Sequence, residues 1–400
     1  MSIRRAQDER IEGTPDGLNA VTEISDVPDA PTIGTATAGV ESATVTYTAA
    51  ATGGAVVTFT ATSTPGSVTG TGASPITVSG LTGDTAYTFT VSGANTTGTS
   101  AASAASNSVT PTVALSSRAL VAGGQNDGAV FRNTIDYFDI NTTGNAVDFG
   151  DLTQARSNLS GASSNTRGVF GGGYTGSDVN TIDYVTLATT GNATDFGDRT
   201  ESQGIRASCS SMTRGIFSEA LTTDYITIAT TGNAIDFGDR TVNAAQGAGC
   251  GSTTRGVFAG GIVSGSYNNT IDYFTIATTG NATDFGDLLA GTYILCGLSS
   301  NTRGLFANGN PGGYSNVIQY VTIATTGNAL DFGDTINAQH NSCGTAGTTR
   351  GIIAAGEFGS NGSNIIEYIT IATTGNSTDF GDLTQARRAA AAVSGSHGGL

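Results

Sequence analysis

Short segments in which apolar and polar positions alternate dominate the chain. "SATVTYTA" (from 42), "AVVTFTAT" (55) and "AYTFTVSGAN" (86) place Val, Tyr or Phe at every second position, and Gly, Pro and Thr separate the segments. A period of two turns one face of a strand towards a core. No segment sustains the apolar spacing of an amphipathic helix. The pattern therefore predicts an all-β protein.

A block with the pattern "TGNA.DFGD", or a near copy of it, occurs six times. The blocks are 144–151, 191–198, 232–239, 280–287, 327–334 and 375–382, and their ends are 47, 41, 48, 47 and 48 residues apart. A fixed period of this size is typical of repeat architectures. "TGNA" predicts a tight turn, because Gly and Asn tolerate positive φ. The phenylalanine of "DFGD" is predicted to lie in the contact between successive repeats.

Each repeat predicts four strands: "LSGASS" (159), "TRGVFGGG" (166), "NTIDYVTLAT" (180) and a short strand running into "DFGD". A strand followed by a Gly pair, a "DY" strand, an aromatic residue and a closing "LTQAR" resembles the kelch repeat. The resemblance implies a six-bladed β-propeller over residues 112–400. Phe replaces the usual Trp, and Glu219-Ala220 and Ala355-Gly356 replace the Gly pair. The final "LTQARRAAAAVSGS" aligns with "LTQARSNLSGASS", so residues near 388–395 are predicted to complete the first blade.

Two further regions precede the repeats. Residues 27–111 predict about seven strands of a β-sandwich. "PDAPT" at the entry and Leu81 six residues before Tyr87 resemble a fibronectin type III domain, with Tyr47 where that family has a core Trp. No RGD tripeptide is present, so a spacer role is expected. Residues 1–26 are polar and predict an extended arm, or plain disorder, with Arg4, Arg5 and Arg10 as candidates for docking a partner.

Charge and composition restrict the classes of partner. The formal net charge is -16, lysine and tryptophan are absent, and all sixteen basic residues are arginine. Nucleic acid is not expected as a partner, since phosphate backbones require clustered cations. No apolar run has the length of a membrane span, so no membrane insertion is expected. The N-terminus lacks the apolar region of a signal peptide, which predicts synthesis in the cytoplasm of a host cell.

The four cysteines follow the repeat. Cys209 and Cys250 lie five residues before the "TR" arginine of their repeat, and Cys296 and Cys343 lie seven residues before it. Five and seven differ by two, so all four side chains are expected on the same side of equivalent strands. The spacing predicts buried free thiols; disulfides or a zinc site are the alternatives, although neither CxxC nor paired histidines occur.

Acidic residues are also part of the repeat. Two aspartates in each "DFGD" and the acid of the "IDY" position account for about half of the negative charge. We expect Asx-type turns and pairing with the "TR" arginines, with calcium binding by the "D..D" turns as the alternative. The "DFG" triplet lacks every other kinase signature. Two histidines and no recognisable nucleophile–base pair predict that the protein is not an enzyme, with no catalytic residue, metal or cofactor.

Variation among the repeats points to a binding surface. In a four-stranded antiparallel blade, the second-to-third and fourth-to-first loops open on one face. These loops differ between repeats, whereas the "SSNTR"-type loops and "TTGN" turns of the other face are nearly uniform. Recognition is usually built on such variable loops; the alternative is drift without constraint. Aromatic rings beside planar polar groups suit sugars. The candidate ligand-binding residues are Tyr174, Tyr267, Tyr293, Tyr314, Gln154, Arg156, Arg206, Gln339, His340 and Gln385.

A lysine-free, Thr/Gly/Asn-rich propeller behind a fibronectin-like spacer and a polar arm resembles virion proteins of tailed bacteriophages, particularly marine ones. The resemblance implies a non-enzymatic structural protein of a tail fibre, neck or capsid accessory. We expect it to be located in the virion, to dock on other virion proteins through its N-terminal region, to form a homo-oligomer there, and to display the propeller towards a host-surface glycan. The alternative is a bacterial cell-surface adhesin or an accessory module of a carbohydrate-active enzyme.

Overall fold

The computed structural model describes residues 26–83, 85–112, 116–204 and 206–399, and these residues form β-strands and no helix. This confirms the all-β prediction. The chain divides into two compact units, Met1–Ala114 and Leu115–Leu400. The division lies within three residues of the boundary predicted from the sequence.

Two three-stranded antiparallel sheets build the first unit. Its strands are β1 (Thr32–Ala38), β2 (Ser42–Thr48), β3 (Thr58–Thr64), β4 (Thr69–Thr71), β5 (Ile76–Ser79) and β6 (Thr88–Ala94). The sheet orders are β1-β2-β5 and β4-β3-β6. The alternating apolar positions of both sheets meet in one core, in which Val45, Phe89 and Val91 are fully buried.

Tyr87, whose spacing from Leu81 resembles the tyrosine corner of fibronectin type III domains, is buried in this unit, and its hydroxyl accepts a hydrogen bond from Thr82 N–H at 3.1 Å. The predicted seventh strand differs from expectation. Residues 101–108 form no regular strand. Instead the hydroxyls of Ser100, Ser103 and Ser106 accept from N–H groups along the edge of β6 at 2.9–3.0 Å. A serine at every third residue does not match the period of two, so the segment satisfies the edge without joining the sheet as a strand.

Six antiparallel sheets, here A to F, build the second unit. Sheet A contains β7 (Arg118–Ala122), β8 (Thr134–Asp139) and β9 (Val147–Asp151). Sheet B contains β10 (Ser160–Ser163), β11 (Arg167–Gly171), β12 (Thr181–Thr186) and β13 (Thr194–Asp198). Sheet C contains β14 (Ala207–Ser210), β15 (Arg214–Thr227) and β16 (Ile235–Ala244).

Sheet D contains β17 (Ala248–Gly251), β18 (Arg255–Ala259), β21 (Thr270–Thr275) and β22 (Thr283–Asp287), and β19 (Ile262–Val263) and β20 (Ser266–Tyr267) form a separate hairpin there. Sheet E contains β23 (Cys296–Ser299), β24 (Arg303–Ala307), β25 (Ser315–Thr322) and β26 (Leu330–Gln339). Sheet F contains β27 (Cys343–Ala346), β28 (Arg350–Ala354), β29 (Glu357–Phe358), β30 (Asn361–Thr370) and β31 (Thr378–Arg387).

The last strand, β32 (Ala391–Ser394), returns to sheet A. It pairs antiparallel with β7, from Ala391 opposite Ala122 to Ser394 opposite Ala119. This is the pairing that the sequence alignment predicts. In sheet C, Ile228 N–H donates to Thr213 O, so the two ends of the long strand β15 meet and it folds back as a hairpin. Sheet C therefore lacks the long second-to-third loop, which explains the short spacing of 41 residues.

The first strands of the sheets lie side by side. In the order β32, β10, β14, β17, β23 and β27, each contacts the next, and β27 contacts β32. Their second positions are small residues: Gly161, Ser208, Gly249, Gly297, Gly344 and Ala392. A Cβ on Gly297 would lie 2.2 Å from Gly249 O, so the strands approach too closely there for a larger side chain.

The "TGNA" segment does more than turn the chain. In each repeat it forms a strap on the "FGD" strand of the preceding sheet. Between sheets D and E, Gly327 N–H donates to Phe285 O and Ala329 N–H to Asp287 O, both at 2.8 Å, and Asn328 Oδ1 accepts from Asp287 N–H at 3.0 Å. The same bonds occur at every seam, including the one from Gly144 back to Phe380. The outer strand edges are thereby paired.

The "TR" arginines do not pair with the repeat acids, so that prediction is wrong. Each guanidinium instead lies over the tyrosine of its own "DY" strand, at 4.5–4.9 Å from the ring centroid. Its Nη1 donates to a carbonyl of the following sheet, as Arg255 does to Ile323 O at 2.9 Å. The arginine lies on the strand next to the tyrosine, which places stacking rather than ion pairing within reach.

Other arginines neutralise the "IDY" aspartates, which are fully buried. Arg156 pairs with Asp183 at 2.8 Å, and both side chains have no exposed surface. The equivalent pairs are Arg199 with Asp224, Arg240 with Asp272, and Arg387 with Asp136. In every pair the arginine lies in or just after the last strand of one sheet, and the aspartate lies in the next sheet. These buried ion pairs join neighbouring sheets.

All four cysteines are free and buried, which confirms the prediction for the thiols. Burial raises the pKa of Cys250 and Cys343 to about 12 and that of Cys296 to about 11. The pKa of Cys209 is raised further, also by burial. The thiols therefore stay protonated and serve as small apolar packing groups.

Candidate functional site

The variable loops meet at one end of the second unit, here called the divergent end. In every sheet except C, the loop that enters the first strand pairs with the second-to-third loop of the same sheet, through the bridges Gln125–Arg388, Ser157–Tyr174, Ala245–Ile262, Tyr293–Asn310 and His340–Glu357. The loops of both types are therefore held by backbone pairing, which fixes the side chains that they carry.

Aromatic rings stack between loops of neighbouring sheets at this end. Tyr267 of sheet D stacks on Tyr293 at the entrance to sheet E, with ring centroids 5.3 Å apart and planes at 16°. Tyr314 of sheet E stacks on His340 at the entrance to sheet F, at 4.7 Å and 27°. Tyr267 and Tyr314 are 45% and 40% exposed, so each stack presents a ring face or edge to solvent. Tyr174 is 37% exposed and contacts the Phe131 ring edge-on.

The predicted polar candidates divide into three groups. Gln154 and Gln385 are exposed. His340 is a member of the stack with Tyr314, and Arg206, in the loop entering sheet C, is influenced electrostatically by Tyr293. Gln339 is only 3% exposed. Arg156 is a correction: its guanidinium is bound by Asp183, Gly172 O and Phe170 O and has no exposed surface, so it holds the sheets together and cannot contact a surface ligand.

A chain of backbone hydrogen bonds links the entering loops. Asn158 N–H donates to Ala389 O, Ala389 N–H to Asn341 O, Asn341 N–H to Ile294 O and Ile294 N–H to Gln246 O, at 2.9–3.0 Å. All five residues have positive φ, between 50° and 61°. The conformation turns each N–H along the arc, so the loops share one rigid rim.

Two ionisable side chains bind the ends of this arc. Gln246 N–H donates to Glu219 Oε1 at 2.9 Å, and Arg206 Nη2 donates to Asn158 Oδ1 at 2.5 Å. Glu219 is 8% exposed, and its Oε2 has no hydrogen-bond partner among the described residues. Glu219 is not among the site residues predicted from the sequence. It stands where four of the six repeats carry the first residue of a Gly pair or Ala-Gly, and that substitution of a charged residue for a small one was the available signal.

Burial perturbs the ionisation of this cluster. It raises the pKa of Glu219 to about 7, against the opposing effects of the Gln246 N–H and of Arg206, Arg199 and Arg240. Burial also lowers the pKa of Arg206 to about 10. Shifts of this kind concentrate at functional sites, because a structure rarely buries a charged group without a compensating role.

An ion pair lies on the rim. Arg388 Nη1 is 2.6 Å from Glu357 Oε2, which also accepts from Asn341 Nδ2 at 3.3 Å. Tyr314 Oη donates to Glu357 Oε1 at 3.5 Å, and His340 Nδ1 accepts from Asn341 Nδ2 at 3.0 Å. Burial lowers the pKa of His340, so its ring is neutral near pH 7. Glu357 thereby connects the Tyr314–His340 stack to Arg388.

The first strands enclose a cavity of about 90 Å³ between them. Asn158, Arg206 and Ser342 line it where the first strands begin, at the divergent end. His397 lines the opposite end, where the strands finish. Its Nε2 lies 3.0 Å from Ser163 O and 3.1 Å from Ser210 Oγ, and its Nδ1 accepts from Gly399 N–H. The C-terminal residues thus lie at one end of the cavity, and Arg206 lies at the other.

Three expectations remain outside this geometry. Arg4, Arg5 and Arg10 lie outside the described residues. Among the described residues, no group of three or more His, Cys, Asp and Glu side chains is placed to hold a metal ion. No helix in the described part of the chain is long and apolar enough to cross a membrane.

No protein-family model matches the sequence, and no curated protein matches it either.

Proposed function

We propose that sheets A to F are the blades of a kelch-like six-bladed β-propeller that follows a fibronectin type III-like sandwich. The ring of contacts among the first strands and the straps at every seam support this architecture. The buried tyrosine corner and two-sheet core support the sandwich.

The proposed activity is recognition of a host-surface glycan at the divergent end, by a non-enzymatic structural protein of a tailed-phage virion. The observation that carries the proposal is the pair of aromatic stacks, Tyr267–Tyr293 and Tyr314–His340, on adjacent sheets. Sugars present apolar C–H faces that stack on such rings, while their hydroxyls bind the polar groups between them. The opposite end carries the nearly uniform turns, whose backbone bonds belong to the straps.

Binding of the purified full chain to host cell-envelope fractions tests the activity. Replacing Tyr267, Tyr293 and Tyr314 by Ala should abolish binding while the melting temperature stays within a few degrees of the wild type. Met212, which is 37% exposed and follows the first strand of sheet C at the opposite end, provides the matched control. If the triple variant binds as well as Met212→Ala, recognition does not occur at the divergent end.

Docking through residues 1–26 is a separate part of the proposal. Arg4, Arg5 and Arg10 supply donors for charge-assisted hydrogen bonds to acidic or carbonyl groups of a partner. A chain without residues 1–26 should fold and bind envelope fractions but be absent from purified particles. Its normal incorporation would contradict docking through this segment. Labelling of the bacterial surface rather than of virions would favour the alternative of a cell-surface carbohydrate-binding protein.

A further inference from the structure

Arg206, at the divergent end of the cavity, uses only part of the hydrogen-bond donors of its guanidinium. Within the described residues, its side chain makes one hydrogen bond, through Nη2 to Asn158 Oδ1. A guanidinium carries five N–H donors in a planar fork. Arg206 lines the cavity, and no carboxylate of the described residues is within ion-pair distance of its guanidinium. The arginine is therefore able to accept an additional anionic partner.

The size of the cavity limits what can enter. At about 90 Å³ it is smaller than a cavity of about 150 Å³ that binds benzene, so it admits only small groups. A pyranose ring is too large for this space, but a carboxylate group fits. A bound sugar would thus remain outside, against the aromatic stacks, and insert a substituent.

The charges around Arg206 favour an anion over a cation. Arg388 and Glu357 both influence Arg206 electrostatically and neutralise each other as an ion pair, and Tyr293 is the nearby member of an aromatic stack. Glu219 is the remaining acid. When Glu219 is protonated, the cluster of Arg206, Arg388, Glu357 and Glu219 has a net charge of +1; when it is ionised, the net charge is zero.

We propose that the mouth of this cavity is a carboxylate subsite, in which Arg206 binds the acidic group of a uronic or similar acidic sugar while the ring of that sugar lies on the Tyr267–Tyr293 stack. The inference rests on the proposed glycan recognition and specifies the class of glycan. Guanidinium–carboxylate recognition is bidentate and planar, which Lys could not reproduce.

Glu219 makes this subsite sensitive to pH. The groups that act on it are Arg206, Arg199, Arg240 and the Gln246 N–H, and burial keeps its pKa near 7. Below pH 7 the carboxyl is neutral and leaves the charge of Arg206 available. Above pH 7 the ionised carboxylate competes with the ligand for that charge. Affinity for an acidic sugar should therefore fall as the pH rises from 6 to 8.

The test compares acidic polysaccharides with the same polymers after their carboxylates have been reduced to alcohols. The wild-type chain, immobilised as full-length protein, should bind the acidic forms at pH 6 on the order of tenfold to a hundredfold more tightly than the reduced forms, which is the strength of one charge-assisted bonding group. Arg206→Gln should remove this preference, and Met212→Ala, an exposed control at the opposite end, should retain it. Arg206→Lys should retain only part of it.

Glu219→Gln supplies a readout that a purely structural role would not alter. The amide can still accept from the Gln246 N–H but cannot ionise. Binding of the acidic polymers by this variant should be independent of pH between 6 and 8 and match that of the wild type at pH 6. An unchanged pH dependence overturns the role of Glu219.

The outcomes separate the two proposals. Equal binding of acidic and reduced polymers overturns the carboxylate subsite and leaves glycan recognition in place. Binding of sulfated polymers alone also overturns it. Binding of no polymer and no envelope fraction overturns both. If Arg206→Gln proves unfolded by its melting profile, the Arg206→Lys and Glu219→Gln results decide.

Discussion

The strap between sheets D and E offers the sharpest test of how the second unit is held together. Gly286 has φ +147°, and a Cβ at this position would lie 2.5 Å from Gly327 O in the strap. Ordinary contacts of a Cβ begin near 3.4 Å. The substitution Gly286→Ala must therefore push the strap outward by nearly an ångström, beyond the reach of its hydrogen bonds.

Three hydrogen bonds depend on that approach, two of 2.8 Å between backbone groups and one of 3.0 Å to Asn328 Oδ1. Each contributes about 1 kcal/mol net, so their loss should lower the free energy of unfolding by about 3 kcal/mol. Gly327→Ala is the matched control, because Gly327 has a similar φ of +158° but open space around the position of its Cβ. Backbone strain is then common to both variants, and the difference between them measures the contact.

Guanidinium unfolding followed by far-ultraviolet circular dichroism measures this difference in the full chain, with the transition of the second unit identified by calorimetry. We expect Gly286→Ala to be less stable than Gly327→Ala by about 3 kcal/mol. Equal stability of the two variants would refute the assignment of the straps as seams between sheets.

Three further predictions concern buried groups of the second unit. Native protein should react slowly with a thiol reagent, and denatured, non-reduced protein should show four free thiols, since all four cysteines are buried and unpaired; fewer than four would indicate a disulfide. Asp183→Asn should lower the free energy of unfolding by about 3 kcal/mol, because it leaves the buried guanidinium of Arg156 without its counter-charge, whereas Asn at the exposed Asp148 should change it little in the same denaturation assay. Burial lowers the pKa of His397 to about 4 from 6.5, so the unfolded chain binds more protons than the folded chain between these pH values. The free energy of unfolding should therefore fall, by at most about 3 kcal/mol, as the pH drops from 6.5 to 4. His397→Gln, which keeps a donor for Ser163 O, should lack this part of the pH dependence, and an identical pH dependence in the variant would contradict the role of the buried imidazole.

The local sequence pattern predicted the strands of this fold. It did not predict the features that depend on hydrogen bonds between distant segments. Period-two alternation identified the strands, and the alignment of the C-terminal segment identified the partner of β7. "TGNA" was interpreted as a turn because its bonds to the preceding repeat cannot be derived from local sequence. Residues 101–108 do not form the predicted seventh strand of the first unit, because serine hydroxyls accept hydrogen bonds from the N–H groups along the edge of β6.

The sequence contains a pattern that predicts the buried ion pairs between neighbouring sheets. Each sheet with a buried aspartate follows a segment that contains its arginine, either in "LTQAR" or directly after "DFGD". The segments that precede the two sheets with Gln319 and Glu367 at this position contain no arginine. This co-occurrence within one chain distinguishes the pairing arginines from the "TR" arginines. At the candidate site, the aromatic residues were predictable from loop variation, but the burial of Arg156 and the position of Glu219 depend on packing between repeats.

The pairing of β32 with β7 has a consequence for the order in which the protein is made. Sheets B to F can each form as soon as their own strands leave the ribosome, because their strands follow one another along the chain. Sheet A must wait for residues 391–394, while β7 is among the first strands of the unit to be synthesised. Its inner edge stays exposed during that interval, and contacts between distant segments form slowly. We therefore expect aggregation during synthesis to be governed by how long this edge remains open, so that slower translation of the last repeat increases it.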